Sequence, residues 1–541
     1  MQISESLRNV EIELGGLRLT GEELCGGTLV TGMTGSGKTV SVVNPLATAY
    51  AKLGTDGNGQ KAAVFYFNCK GSAHREFIAG LPEDRREDVI VVSADSGYGI
   101  SLFEEANWRS RNELNGAVVQ FLEEFGRNLS DENRSLKHDP FWERQRVRVA
   151  EVLVSLETDR IARNIDAKTA GMFDADRLVA LLRRLDAFIE HVGIVCSRSG
   201  QKPEKQPGRG PTPEEIAWAK EHFGKSVPGR KNLWPKDVKG EREMAKMLLD
   251  LKNPPKSREE TEFERFYGAL DYRSQVKANA LVREFYDLAE VTRSCVFADL
   301  RGVVASLMTE TAKTYLHKKR VTTTLEEIIQ EGEILVIDLP LADGGQATLP
   351  VLQAVKLALF SRLLGRRSAL CCGVALSERP VCVVLDEFQN LVSKGKTNGE
   401  DMLLAQCREF GVGVVLATQS LALLLGTLQN ENAVAALVAN CRLKIFGKNG
   451  DRLTNSLAAE ACGTTSGQEV CRVPVWNGGE AFRRFVTEVE EGGAPVVEPR
   501  RFGELATGQF YAATPRGDTV FLDMRRSLGS PKTEYLRRSA E

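Results

Sequence analysis

The chain has 541 residues, of which 42% are hydrophobic and 27% are charged, and its formal net charge is -2 at pH 7. This length predicts two or more globular domains, and the near-neutral charge excludes a global basic field for nucleic acid. The 11 cysteines form no C-x-x-C pair and there are only 5 histidines, which argues against a disulfide framework and against a zinc site.

A glycine-rich segment follows the first buried strand that the sequence predicts. The residues 28–31 (Thr-Leu-Val-Thr) predict this short buried strand, and between it and a helix from residue 40 the sequence reads G-x-x-x-x-G-K-T. Such glycines let backbone N–H groups face phosphate oxygens, and the helix N-terminus favours negative charge. Lys38 is predicted to reach the β- and γ-phosphates of ATP, and Thr39 to ligate Mg²⁺. The predicted nucleotide-binding residues are Gly32, Met33, Thr34, Gly35, Ser36, Gly37, Lys38, Thr39 and Val40.

The pattern of the sequence changes twice along the chain, which predicts an inserted domain. Residues 1–108 alternate short apolar strands with helical segments, as in a parallel sheet. Helical periodicity dominates residues 109–330, with a loop near 197–213 that is rich in Gly, Pro and Lys and is predicted to be mobile. The strand pattern resumes over 331–524, and 525–541 is predicted to be a charged tail. The predicted fold class is α/β, with a central, mostly parallel sheet and a large, mostly α-helical inserted domain.

A second motif lies 348 residues after Lys38, since 386 − 38 = 348. The apolar run 381–385 predicts a buried strand that ends at Asp386 and Glu387. Asp386 is predicted to hold Mg²⁺ through its water shell, and Glu387 to orient and polarise the attacking water. The alternative is an ordinary strand before a solvated acidic turn. The phosphate-binding pattern upstream favours the catalytic interpretation.

Two further polar residues extend the predicted site. Gln419 ends the apolar strand that begins at residue 413, where an amide can contact the γ-phosphate and the attacking water. The alternative is that the Gln419 amide is simply hydrogen-bonded at the strand end. Arg408 ends a helix between the two strands and is predicted either to act across a subunit interface, as arginine fingers do, or to form a surface ion pair with Glu409 or another acid.

These elements, in this order, resemble the FtsK/HerA superfamily of hexameric pumping ATPases. Within it, the chain is similar to the TraD/TraG-type coupling proteins of conjugation and type IV secretion. The matching segments are 32–39, 68–71, 139–142, 385–388, 408–413 and 417–420. The resemblance implies a RecA-like P-loop NTPase that assembles as a hexamer, with its all-α domain between the two motifs. It also implies the roles of Lys38 and Thr39 (phosphate and Mg²⁺), Asp386 and Glu387 (the Walker B pair), Gln419 (the sensor) and Arg408 (the trans-acting arginine).

Two features of the sequence depart from this family. Asn68 stands where members often carry aspartate before the Lys-Gly element. Typical coupling proteins begin with transmembrane helices, and no run of this sequence predicts one. We therefore expect no direct insertion into a membrane and a cytoplasmic location, with peripheral association at the inner membrane through a partner as an alternative.

The sequence thus predicts an ATP-hydrolysing, ring-forming motor that translocates or recruits DNA, or a DNA–protein complex, without sequence readout. A relaxase or another secretion or mobilisation protein is an expected partner. Residues 198–240 hold ten Lys/Arg against five Asp/Glu, which predicts either a phosphate-contacting segment or a solvated linker. The alternative function is an ATP-dependent adaptor that recruits a protein substrate to a secretion or defence complex. Glu387 and Gln419 argue against a third possibility, a nucleotide switch with negligible turnover, because a pure binder needs no water-orienting acid.

Overall fold

The computed structural model describes residues 11–54, 60–71, 73–103, 108, 110–129, 140–163, 173–197, 213–214, 216–217, 256–316, 321–341, 347–366, 379–393, 399–465, 469–475, 484–490, 493–525 and 532–537. Within these ranges the chain forms two compact units, one comprising Met1–Arg134 with Ser306–Glu541 and the other Ser135–Ala305. Among the described helices, none is long and apolar enough to cross a membrane.

The described strands are β1 (Glu11–Leu14), β2 (Leu17–Thr20), β3 (Gly27–Thr31), β4 (Ala63–Asn68), β5 (Val89–Val92), β6 (Tyr98–Ser101), β7 (Val321–Thr324), β8 (Ile334–Asp338), β9 (Val381–Leu385), β10 (Val412–Thr418), β11 (Cys441–Gly447), β12 (Glu469–Val475), β13 (Arg484–Glu490), β14 (Gln509–Ala513), β15 (Thr519–Asp523) and β16 (Lys532–Arg537).

The described α-helices are α1 (Gly21–Leu24), α2 (Asn44–Ala51), α3 (Ala73–Gly80), α4 (Glu83–Arg86), α5 (Arg111–Leu129), α6 (Pro140–Ala162), α7 (Ala175–Ser197), α8 (Arg258–Gly268), α9 (Tyr272–Tyr286), α10 (Glu290–Ser306), α11 (Glu310–Leu316), α12 (Leu325–Glu331), α13 (Leu349–Leu364), α14 (Glu400–Gln406), α15 (Leu421–Leu428), α16 (Glu431–Asn440), α17 (Arg452–Cys462) and α18 (Pro499–Glu504).

A ten-stranded sheet in the order β16-β15-β14-β11-β3-β10-β9-β4-β8-β5 forms the centre of the first unit. The strands from β11 to β5 run parallel, and β14, β15 and β16 extend the sheet antiparallel beyond β11. Strands β3, β9 and β10 are buried along their whole length, which explains why their sequences are mostly apolar and contain no charged residue. The predicted α/β class with a mostly parallel sheet is confirmed.

The parallel register brings the carboxyl ends of four strands to one edge of the sheet. Leu416 of β10 pairs with Leu29 of β3 on one side and with Leu385 of β9 on the other, while Phe67 of β4 also pairs with Leu385. The residues that follow these four strands therefore converge at a single edge. Open α/β sheets bind ligands at this edge, outside the carboxyl ends of their strands.

The helix after the glycine-rich segment packs closely against the sheet. Tyr50 of α2 is buried, and its hydroxyl donates to the carbonyl oxygen of Leu24. At Gly413 of β10 the Tyr50 ring lies so close that an added Cβ would overlap it. Glycine at this position lets α2 approach the strand closely, and the close packing holds the segment before α2 at the sheet edge.

The second unit contains α6 to α9 and most of α10, and it is all-helical among its described residues. Helices α6, α7, α8 and α9 pack side by side, with Phe188 of α7 and Phe263 of α8 5.0 Å apart between ring centroids. Arg146 of α6 donates to Asp299 of α10 at 3.0 Å. The predicted mobile loop near 197–213 lies outside the described residues apart from its two ends.

The structure differs from the predicted domain limits at three places. Residues 306–330, at the end of the predicted insertion, belong to the first unit, where β7 pairs with β6. Helix α5 lies within the predicted insertion 109–330, but it packs on α13 in the first unit through its buried apolar residues, including Leu114 and Phe121. Helical periodicity predicts that a helix forms and cannot say which neighbour it packs against. Within the predicted charged tail 525–541, β16 joins the sheet as an edge strand. The charged residues of β16 led to the prediction of a tail, but edge strands of a sheet also commonly carry charged residues.

Candidate functional site

The glycine-rich loop leaves β3 in a conformation that requires glycine. Gly35 and Gly37 have φ of 80° and 87°, in the left-handed region. A Cβ on Gly32 would lie 2.5 Å from Ser36 Oγ. Alternating left- and right-handed residues turn successive N–H groups toward one concave face, which binds anions. The loop predicted to bind phosphate therefore has the backbone shape that this role needs.

A second segment, far away in sequence, packs against this loop. Thr507 Oγ1 donates to the Gly35 carbonyl oxygen at 3.0 Å, and Gly508 N–H donates to the Ser36 carbonyl oxygen at 2.9 Å. These contacts hold the loop carbonyls on the side that faces β14. Neither residue could be predicted from the sequence, since a threonine and a glycine in a turn carry no signal of a distant partner.

The residues just after the loop contact the end of β9. Lys38 Nζ lies 3.6 Å from Glu387 Oε1, and both side chains are buried. Thr39 Oγ1 donates to Asp386 Oδ2 at 3.2 Å. Burial lowers the pKa of Lys38, the nearby Lys70 ammonium lowers it further, and the two carboxylates oppose the shift. The four residues predicted to bind phosphate, Mg²⁺ and water thus lie together.

Asp386 and Glu387 share an edge of the sheet but differ in environment. Burial raises the pKa of Asp386, despite the nearby Lys70 and Lys38. Burial also opposes ionisation of Glu387, but the contact with Lys70 and the charge of Lys38 outweigh it and lower the pKa. Glu387 has φ of 56° and ψ of 45°, an uncommon left-handed conformation for a residue with a side chain. Backbone strain of this kind is concentrated at functional sites.

Two side-chain amides hold the Glu387 carboxylate. Gln419 Nε2 donates to Glu387 Oε2 at 2.9 Å, and Gln389 Nε2 donates to the same oxygen. Gln389 Oε1 in turn accepts from Thr418 Oγ1 at 2.9 Å. Asn449 Nδ2 donates to the Gln419 carbonyl oxygen at 2.8 Å. The structure therefore places Gln419 beside the predicted base, and it adds Gln389, which the sequence analysis did not single out.

A second lysine enters the site from the end of β4. Lys70 Nζ contacts Glu387 Oε1 and lies 3.8 Å from Asp386 Oδ2. Asn68, the departure from the family pattern, accepts the Lys70 N–H with its Oδ1 at 3.1 Å and donates to Asp338 Oδ1 at 2.8 Å. Asn68 therefore shapes the turn that carries Lys70. The sequence analysis included Lys70 in a family motif without assigning it a role.

Arg408 lies apart from these residues. It precedes β10, whereas the loop and the two carboxylates follow parallel strands, so Arg408 is at the opposite edge of the sheet. Its side chain is 52% exposed and forms an ion pair with Glu22 of α1. The residue does not reach the site of its own subunit in this arrangement, and the arginine finger stays a prediction about a neighbouring subunit.

The residues present fit a magnesium nucleotide. The Thr39 hydroxyl and the Asp386 carboxylate offer hard oxygen ligands, and Mg²⁺ commonly binds one or two protein oxygens together with substrate phosphates. No cluster of three His, Cys, Asp or Glu among the described residues could hold a metal without such phosphates. The buried Ser36 Oγ in the loop has no hydrogen-bond partner within the described part of the chain, as expected of a group that faces a polar ligand.

Comparisons with known proteins give one matching family model and several similar structures. Residues 380–473 match the family model for the TraM recognition site of TraD and TraG. A comparison with curated proteins found no match. The unbound bacterial conjugative coupling protein TrwBdeltaN70 is similar in structure, with a TM-score of 0.52 and 14% identity over 93% of this chain and 85% of that chain.

Two liganded structures of the same relative are also similar. TrwB in complex with ADP and Mg²⁺ has a TM-score of 0.51 and 14% identity, over 94% of this chain and 88% of that chain. TrwB with the non-hydrolysable GTP analogue GDPNP has the same TM-score and identity, over 95% and 88%. The predicted resemblance to TraD/TraG-type coupling proteins is confirmed, through the match over 380–473 and through the fold.

Proposed function

We propose that this chain, which has the fold of the coupling protein TrwB, is a Mg²⁺-dependent ATPase that acts as a ring-forming motor on DNA or a DNA–protein complex. The observation that carries the proposal is the convergence of four strand ends. Lys38, Thr39, Asp386, Glu387 and Gln419 follow β3, β9 and β10 and form one network of contacts at the sheet edge, and Lys70 joins it from the end of β4. The nucleotides bound by TrwB support the choice of ligand class.

Each residue has a task in hydrolysis. Lys38 binds the β- and γ-phosphates, and Thr39 and Asp386 hold Mg²⁺, which neutralises charge on the phosphates when bound. The oxygen of a water attacks the γ-phosphorus, the bond from this phosphorus to the β–γ bridging oxygen breaks, and ADP and phosphate result. Glu387 orients the water and accepts its proton. Gln419 and Gln389 hold the Glu387 carboxylate in place, since both donate to its Oε2.

Two features support contact with DNA and assembly into a ring. A cavity of about 250 Å³ in the second unit is lined by four arginine side chains, Arg160, Arg177, Arg184 and Arg265, and by one carboxylate, Glu157. Arg160 pairs with Glu157 and Arg184 pairs with Glu262, so the lining keeps a smaller net positive charge than four arginines suggest. A local positive charge of this kind favours phosphate contact when the net charge of the protein is near zero. The position of Arg408 at the opposite sheet edge suits contact with the nucleotide of a neighbour in a hexamer.

The test is ATP hydrolysis by the purified chain with and without single- and double-stranded DNA, together with its mass in solution with ATP. We expect hydrolysis stimulated by DNA and a ring-sized species. Association with DNA should weaken steeply as salt is raised, because phosphate contacts release counterions. Hydrolysis that does not respond to either form of DNA would count against the motor.

One observation favours a second candidate function, recruitment of a protein partner. The matched family model describes a TraM recognition site, and its range 380–473 includes β9 and β10. Because β9 and β10 are buried, a partner would bind exposed residues elsewhere in this range, in the same part of the chain as Glu387 and Gln419. ATPase activity stimulated by a purified relaxase or mobilisation protein, and indifferent to DNA, would favour the adaptor over the motor.

A further inference from the structure

Two lysine ammonium groups in the site share one carboxylate oxygen. Lys38 Nζ lies 3.6 Å from Glu387 Oε1, and Lys70 Nζ contacts the same atom. Lys70 also lies 3.8 Å from Asp386 Oδ2. The second lysine is therefore close to the P-loop lysine, at the place toward which the terminal phosphate of a nucleotide is directed.

The backbone that carries Lys70 is well held. Asn68 Oδ1 accepts the Lys70 N–H, and Leu341 N–H donates to the Cys69 carbonyl oxygen at 3.0 Å. Gly71 has φ of 91°, and a Cβ there would lie 2.7 Å from Pro340 Cγ. The turn is thus fixed on both sides of Lys70. Its side chain is 36% exposed, so the ammonium group can change partners while the backbone stays in place.

The charges of the site give a reason for such an exchange. Without nucleotide, two ammonium groups face two carboxylates and the charges balance. When ATP and Mg²⁺ bind, Lys38 would pair with the phosphates and Asp386 would hold Mg²⁺, so the balance of charges would change. The γ-phosphate then competes with Glu387 for the Lys70 ammonium. ADP lacks the γ-phosphate and offers no such competitor.

We propose that Lys70 is a second phosphate-binding lysine, which contacts the γ-phosphate of ATP and returns to Glu387 when only ADP is bound. This inference rests on the proposed ATPase function. The exchange releases one oxygen of Glu387 for the attacking water only when the γ-phosphate is present. Lys70 thereby links recognition of ATP to the availability of the base.

The experiment measures the affinity of the full chain for Mg²⁺–ADP and for a Mg²⁺-bound non-hydrolysable ATP analogue by calorimetry. Lys70→Ala should weaken binding of the analogue about tenfold and leave that of ADP within about twofold, as expected for one lost charge-assisted hydrogen bond. Lys70→Gln, whose side chain is polar but uncharged and one atom shorter, should show the same loss, and Lys70→Arg should restore most of the preference.

Lys61 provides a matched control at the opposite end of β4. Its side chain is 39% exposed and forms an ion pair with Asp88 at 2.9 Å, so Lys61→Ala removes a comparable charge from the same strand. We expect Lys61→Ala to change neither the affinity for Mg²⁺–ADP nor that for the ATP analogue. Equal loss of both nucleotides in the Lys70 variants, or no loss, would overturn the assignment of Lys70. A wild-type chain that binds neither nucleotide would instead overturn the proposed function.

Discussion

Gln419 at the end of β10 donates a 2.9 Å hydrogen bond to Glu387 at the end of β9. Thr418, one residue before Gln419, donates to Gln389, which contacts the same carboxylate. The predicted base is thus positioned by the neighbouring parallel strand. A shift of β10 relative to β9 would move the carboxylate, so this contact can transmit a change at the site into the sheet.

Loss of the Gln419 amide should impair turnover more than binding. We expect Gln419→Ala to lower kcat by roughly 10–100-fold, because Glu387 is less well oriented, with little change in nucleotide affinity. Steady-state ATP hydrolysis and equilibrium nucleotide binding provide the two measurements. Gln406→Ala, at the C-terminal end of α14, is the control and should leave kcat unchanged. A large loss of affinity in Gln419→Ala would point to a direct role in binding.

Arg408 can be tested by mixing two inactive variants. If Arg408 acts on a neighbour, Arg408→Ala and Lys38→Ala chains should each lack activity. Mixed rings should regain part of it, because one type of interface joins an intact Lys38 to an intact Arg408. ATP hydrolysis before and after subunit exchange measures the effect. Glu22→Gln breaks the ion pair alone and should keep full activity. An active Arg408→Ala ring would identify the arginine as a surface residue.

The environment of Asp386 predicts how magnesium binding depends on pH. Burial raises the pKa of Asp386 above its usual 3.8, so its protonated form stabilises the fold at low pH and this contribution is lost as the pH rises through the raised pKa. Mg²⁺ competes with the same proton. We therefore expect the affinity for Mg²⁺–ADP to fall as the pH is lowered toward the raised pKa of Asp386. Titration calorimetry at several pH values checks this, with Asp386→Asn expected to remove most Mg²⁺-dependent binding.

Breaking a buried ion pair between α13 and α14 should have a large effect on stability. Lys356 of α13 and Glu400 of α14 are both fully buried, and Lys356 Nζ also donates to Ser393 Oγ at 2.7 Å. Lys356→Met leaves Glu400 buried without its cation and should lower the free energy of unfolding by about 3–5 kcal/mol. Urea denaturation provides the measurement.

The exposed pair Lys256–Glu264 is the matched control for this stability test. Lys256→Met should cost less than about 1 kcal/mol, since exposed ion pairs are screened by water. The double variant Lys356→Met with Glu400→Met should be more stable than Lys356→Met alone, because it removes the unpaired charge. A single variant as stable as the wild type would contradict the account of this pair.

Part of the fold was accessible from the sequence because buried parallel strands have continuous apolar sequences. The runs at 28–31 and 381–385 end in glycine-rich or acidic residues, so both the strands and the groups at their carboxyl ends could be predicted. The contact of Lys70 with Glu387 depends on which strand lies beside β9, and local pattern does not determine strand order. The packing of Thr507 on the loop could not be predicted for a similar reason, since 472 residues separate Thr507 from Gly35.

Asn68, which stands where the family often has aspartate, shows a second reason why the site could not be fully predicted from the sequence. Sequence comparison marks only that aspartate is missing, whereas the structure shows Asn68 bound at once to the Lys70 backbone and to Asp338. An amide can donate and accept, and a carboxylate at this position could not donate to Asp338. The pair Asn68–Asp338 is thus one solution to building this turn, and it becomes visible only when β4 and β8 are seen side by side.

The most direct test of the central claim compares ATP hydrolysis by the wild-type chain and by Glu387→Gln, with ATP affinity measured on the same samples. The substitution keeps the size of the side chain and removes the base. The account predicts that ATP still binds and that kcat falls by at least about 100-fold, while Glu409→Gln, a control on the opposite edge of the sheet, behaves as wild type. Wild-type turnover in Glu387→Gln would contradict the assignment of this edge of the sheet as the hydrolytic site.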